Sequence, residues 1–134
     1  ESLEAPCRRI MKYVSYIPDA GRTKNEWSLP ERTWAARGGD CEDLAVLFHD
    51  LLQYARAVTT SFHVVFPRRP TAANGHVYLS GGDGSWIVSN GVWTPGSAFM
   101  PAFNVMMNSL GWCPEECFVM DIHPTAVQNL CRRS

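Results

Sequence analysis

The run Gly38-Gly39-Asp40-Cys41-Glu42-Asp43 passes without a break into Leu44-Ala45-Val46-Leu47-Phe48-His49-Asp50-Leu51-Leu52. This junction constrains the fold more than any other part of the chain. Leu44, Leu47, Phe48, Leu51 and Leu52 recur at i, i+3, i+4, i+7 and i+8, the single apolar stripe of a helix that must be buried against another layer. Asp40 is the expected N-cap, and Glu42 and Asp43 in the first turn suit the positive end of the helix dipole. A cysteine at that turn is expected to have its thiolate favoured by the dipole and by unpaired N–H groups. The same N–H groups can hold a developing oxyanion. The plainer role for Cys41 is a small buried hydrophobe, which needs neither two glycines nor three acids around it.

What surrounds this junction is read as one domain spanning 1–134, long enough to bury a core without metal or disulfide support. With 46% hydrophobic and 19% charged residues, the chain is unlike a disordered one. Its net charge of -1 and lack of a long Lys/Arg run point away from nucleic acid and anionic membrane as partners. Nor does any apolar run approach the roughly 18–20 residues needed to insert across a bilayer. Glu1 rather than Met begins the chain, which leaves room for a removed signal segment. The five cysteines, Cys7, Cys41, Cys113, Cys117 and Cys131, leave at least one unpaired in an oxidising compartment; five reduced thiols in a cytosol are the other reading. A periplasmic or secreted location is slightly favoured. Cys113 and Cys117 have no matching half for a usual zinc spacing in His123 and Cys131.

Along the chain, Leu3, Cys7, Ile10, Met11 and Val14 predict a helix from residue 2 to about 16. Residues 22–37, with Trp27, Pro30 and Trp34, read as a long, packed, functional loop. After the nucleophile helix, Thr60 to Phe66 is a strand, His76 to Ser80 a second, Gly81 to Gly84 a hairpin turn and Ser85 to Asn90 a third strand. His76 and Asn90 are therefore expected side by side across that hairpin. Ala98 to Leu110 is a Met-rich helix with Pro101 in its first turn, and Met100, Met106 and Met107 are expected as core filling. A final strand over 116–122 and a helix over 125–131 complete the chain.

Thiol catalysis needs a base beside the sulfur and a group that orients the base. His49 lies two turns along the same helix, on the order of 12 Å away at 1.5 Å per residue, too far to bond Cys41. His63 sits among apolar strand neighbours and is expected to be structural or on the surface, and His123 precedes a proline at a helix entry. His76 is the base of choice. Asn90 is the expected orienting residue, accepting from the imidazole, with Ser89 and Asp83 as rivals.

Trp27 to Ala45, with its Pro30-Glu31 lead-in and its Gly39-Asp40-Cys41-Glu42-Asp43 core, resembles the transglutaminase-like superfamily when taken with Gly75-His76-Val77 and Trp86 to Asn90. Within it, the pattern is most similar to the bacterial transglutaminase-like cysteine proteinases, over residues 10 to 95. The resemblance implies an α+β, papain-like fold with the nucleophile helix packed on a small antiparallel sheet. It implies a thiol enzyme forming an acyl-enzyme on amide bonds of proteins or peptides, with Cys41 as nucleophile, His76 as base and acid, and Asn90 as orienter. A cysteine protease is the first expectation; a transglutaminase or a glutamine deamidase, as in a toxin or effector, is the second. Trp27 or Trp34 would add an oxyanion donor. No cofactor is required by the sequence, but family proteinases use calcium near the nucleophile motif, which maps onto Asp40 and Glu42. The family's third position usually carries aspartate, where this chain offers Ser89 or Asn90 depending on register. That departure motivates a reading from another class, an inactive binding module of the same fold.

Overall fold

The structure, a computed structural model, describes residues 2–18, 27–68, 75–81 and 84–132. In chain order these form α1 (Glu4–Ile10), β1 (Ser15–Tyr16), α2 (Pro30–Ala36), β2 (Gly38–Gly39), α3 (Cys41–Arg56), β3 (Thr60–Pro67), β4 (His76–Gly81), β5 (Trp86–Ser89), β6 (Val92–Pro95), α4 (Ala102–Leu110), a 3-10 turn (Pro114–Glu116), β7 (Cys117–Ile122) and α5 (Pro124–Arg132). Five strands make one antiparallel sheet in the order β6-β5-β4-β3-β7. The expected α+β class is present, with the helix that starts at Cys41 packed on an antiparallel sheet.

Helix α3 forms where its stripe predicts. Leu44, Leu47, Phe48 and Leu52 are buried against Phe62, Val64, Val77, Leu79 and Val88 of the sheet. Each such side chain contributes about 1.5–3 kcal/mol relative to exposure. Asp40 is the N-cap, its Oδ1 accepting from the Asp43 N–H at 3.3 Å. Helix α4 covers the opposite face, where Ala102, Met106 and Met107 meet Val65, Tyr78 and Ile87. Met106 and Met107 fill core as expected, but Met100 is exposed beside its helix rather than in it. Pro101 takes the N-cap of α4, one step before the expected first turn.

Three expectations change near the site. The first helix stops at Ile10, and Ser15 and Tyr16 instead form a strand parallel to Gly38 and Gly39. Within the expected loop, Pro30–Ala36 is a helix with Pro30 at its first position, where a missing N–H costs nothing. Arg37, left-handed at φ 63°, closes it. The paired glycines serve close approach more than freedom: a Cβ on Gly38 would collide with the Ser15 carbonyl oxygen, and one on Gly39 with the Asp43 side chain. Residues 22–26 of the expected loop and the turn residues Gly82 and Asp83 lie outside the described residues.

The sequence also holds a hairpin that the strand pattern did not reveal. Asn90 and Gly91, at φ 50° and 82°, turn β5 into β6. Two consecutive positive φ values are what a type I′ turn requires, and Asn-Gly between apolar runs is its signature.

Candidate active site

Cys41 is the first residue of α3, and its half-buried sulfur faces the start of β4, where the Val77 backbone N–H bonds to it. The thiol donates to Glu42 Oε2 at 3.2 Å. Helix α3 and strand β4 thereby bring Cys41 to the residue that follows His76. The electrostatics reverse the expected activation. Burial, followed by the neighbouring Glu42 and Asp40 carboxylates, pushes the Cys41 thiol up to about 12 against the lowering effect of the Val77 N–H. Desolvation and two acids outweigh the helix dipole, whose effect on a charge is of order 1 kcal/mol.

His76 is buried, and desolvation lowers it to about 4. Its Nε2 bonds Ser89 Oγ at 2.8 Å, and its ring stacks at a centroid distance of 6.4 Å on Tyr78. The expected neighbour was Asn90. Asn90 instead belongs to the turn, one residue beyond the strand, and its buried Oδ1 has no hydrogen-bond partner among the described residues. Ser89, one of the two rivals named from sequence, is brought to the imidazole by the β4–β5 pairing; the other, Asp83, lies outside the described residues. With Nε2 bonded to Ser89, Nδ1 is the second nitrogen of the ring.

The other histidines are engaged elsewhere. His49 Nδ1 meets Thr60 Oγ1 at 2.8 Å, and His123 Nδ1 accepts from the Thr125 N–H at 3.1 Å, a helix-entry role as expected. Trp27 is buried in the α3 core, whereas Trp34 is half-exposed and packs on Tyr13 with centroids 5.6 Å apart. A cleft of about 330 Å³ lined by Ile17, Pro18, Arg32, Thr33 and Gly39 opens on the chain leading into Cys41.

Asp40 is pushed up to about 8, first by burial and then by Glu42 and Asp43. Its carboxyl caps the helix, and Glu42 accepts the hydrogen bond of the thiol. Among the described residues no group of three or more His, Cys, Asp or Glu side chains converges as a metal set. Two carboxylates fall well short of the six to eight oxygens that calcium takes. None of the five cysteines forms a disulfide: Cys7 and Cys131 are buried, Cys41 and Cys117 partly so, and Cys113 is exposed.

The chain is similar to a solved structure of LapG from Legionella pneumophila, treated with EGTA. The two share 21% identity at a TM-score of 0.45, over 66% of this chain and 49% of that one. This chain thus spans about half the length of that protein. No family model matches the sequence, and no curated protein does.

Proposed function

We propose that this domain is a thiol-dependent enzyme of transglutaminase-like, papain-like kind that acts on amide carbonyls of a protein or peptide, with peptide hydrolysis as its reaction. The observation that carries this reading is a helix-terminal cysteine sulfur bonded by the Val77 N–H, one residue along β4 from a buried histidine whose Nε2 bonds Ser89. Cys41 is the nucleophile, His76 the general base and acid, and Ser89 the orienting residue in the place where Asn90 was expected.

In the resting state both partners are neutral, because burial disfavours thiolate and imidazolium alike. The thiol proton therefore passes to His76 Nδ1 as the sulfur attacks the carbonyl carbon, rather than before it. The S–C bond forms and the carbonyl π electrons move to oxygen, where first-turn N–H groups of α3 stabilise them. His76 then protonates the leaving amine as the C–N bond breaks, giving a thioester. Water, deprotonated by His76, attacks the thioester and releases the acid and the free thiol. In this reading Ser89 Oγ accepts from His76 Nε2–H, the tautomer in which Nδ1 carries the ring's free lone pair. A hydroxyl stabilises the transient imidazolium less than a carboxylate would.

Intact mass of a glutamine-containing peptide after incubation tests the reaction class. Cleavage that vanishes in Cys41→Ala is the expected result. A gain of one mass unit would mean deamidation, and a larger adduct, amine transfer. A binding module with no turnover is the second reading, favoured by the raised thiol and the missing carboxylate. It holds if the native chain leaves the peptide unchanged, as Cys41→Ala does.

A further inference from the structure

On the sheet face opposite α3, three side chains from three strands line up in a second nucleophile arrangement. His63 on β3 bonds Asp121 of β7 through Nδ1 at 2.7 Å and Ser80 of β4 through Nε2 at 2.6 Å. We propose that Ser80, His63 and Asp121 form a second, serine-based acyl-accepting site that reacts with activated esters and fluorophosphonates independently of Cys41.

The strand register builds the site. His63 stands opposite Asp121 in the β3–β7 ladder, which places the carboxylate beside Nδ1. Ser80 pairs with Ser61, two residues before His63 on the same strand face, so its hydroxyl reaches Nε2 diagonally. Tyr78, the residue directly opposite His63, stacks its buried ring on the imidazole with centroids 5.1 Å apart and holds the ring plane. The two hydrogen bonds use opposite ring nitrogens, so Nδ1–H donates to Asp121 and Nε2 accepts the Ser80 proton. Those are the roles a serine nucleophile needs from its base and from the group that orients the base. Substrate can reach the hydroxyl, because Ser80 is half-buried while Ser61 and Asp121 are exposed. Ser61, whose Cβ lies about 4.5–5.5 Å from that of Ser80 in an antiparallel pair, supplies a hydroxyl donor for the oxyanion.

A single hydroxyl donor is weaker than a pair of preorganised N–H groups, which restricts the site to substrates with good leaving groups. With an aryl ester, the Ser80 proton passes to His63 Nε2 as Oγ bonds to the carbonyl carbon. The C–O bond to the aryl group breaks, and His63 protonates the departing phenolate. Water, losing a proton to His63, then frees the carboxylic acid and Ser80. With a fluorophosphonate, the Oγ–P bond forms, P–F breaks, fluoride leaves, and the proton goes through His63 to solvent.

The test uses the full chain carrying Cys41→Ala and an alkyl fluorophosphonate probe, with adducts located by peptide mass. Label on Ser80 is expected, lost in Ser80→Ala and slowed about 100-fold in His63→Gln. Asp121 acts through His63 as a positioning residue, and Asp121→Asn, at an exposed position, should slow labelling about tenfold. In the Cys41 form the same Asp121→Asn change should leave Cys41 alkylation unaltered, which a general loosening of the sheet would not. Adduct on any other residue, or a Ser80 rate indifferent to His63→Gln and Asp121→Asn, overturns the proposal. Neither outcome bears on whether Cys41 cleaves peptides.

Discussion

Replacing Glu42 with glutamine should make Cys41 the faster nucleophile. In the native chain the thiol donates to Glu42 Oε2 across 3.2 Å, so ionising it sets two negative charges at about that separation. Their repulsion is about 1.3 kcal/mol in a water-like medium and about 5 kcal/mol at an effective dielectric of 20. Both side chains belong to residues of intermediate exposure, which puts the working value between these limits, at about 2–4 kcal/mol. Glutamine keeps an acceptor for the S–H and removes the charge. At 1.36 kcal/mol per unit, the thiol should then titrate about 1.5–3 units lower. Thiolate population gains about tenfold per unit, but a less basic thiolate is also less nucleophilic, with a Brønsted slope of about 0.4–0.5. The net expectation is an increase of about five- to fiftyfold in the rate of iodoacetamide alkylation near neutral pH. Peptide-resolved mass spectrometry reads the rate at Cys41, with exposed Cys113 as the reference in the same sample. A Cys41 rate that is unchanged, or that falls, while Cys113 stays constant would refute the electrostatic account of the raised thiol.

The remaining tests address orientation, pH and backbone. Ser89→Ala should lower kcat of peptide cleavage about tenfold or more by freeing the imidazole; Asn90→Ala should leave kcat nearly intact but cost about 1–2 kcal/mol in denaturant stability, since its φ of 50° disfavours an L side chain. Asp40, raised from its ordinary 3.8 to about 8, makes the folded chain bind more protons than the unfolded one between those values, so its contribution is full below about pH 4 and is lost as pH rises through about 8. Asp40→Asn keeps the cap acceptor and should flatten that decline in urea titrations at several pH values; an unchanged slope would assign the decline elsewhere. Gly38→Ala should destabilise by a few kcal/mol, because φ 156° and the Ser15 carbonyl oxygen both oppose a Cβ. Gly84→Ala, at φ 88° in open space, should cost only about 1–2 kcal/mol by thermal melting, and equal losses at the two positions would discount the clash.

What the sequence determined by itself is the local order of the chain. The 3.6-residue stripe from Leu44 to Leu52 specified α3, because an apolar face of that period has no other way to leave water. The alternation and β-branching from Thr60 to Phe66 and from His76 to Ser80 specified strands, and Asp40 specified the cap, for equally local reasons. Helix α2 was legible in Pro30 and hidden by its polar surroundings, and β6 was legible in Asn90-Gly91 once read as a turn. Tertiary structure alone decided which residues meet. A shift of one position across a hairpin exchanges the face and the partner of every side chain; the Asn90-Gly91 turn signal takes Asn90 out of the strand, but only the assembled sheet brings Ser89 to His76. The state of Cys41 was decided the same way. Its helix-terminal position was written in the chain, but the burial that pushes the thiol up comes from a sheet assembled out of residues far along the sequence, and desolvation there exceeds what the dipole of its own helix supplies.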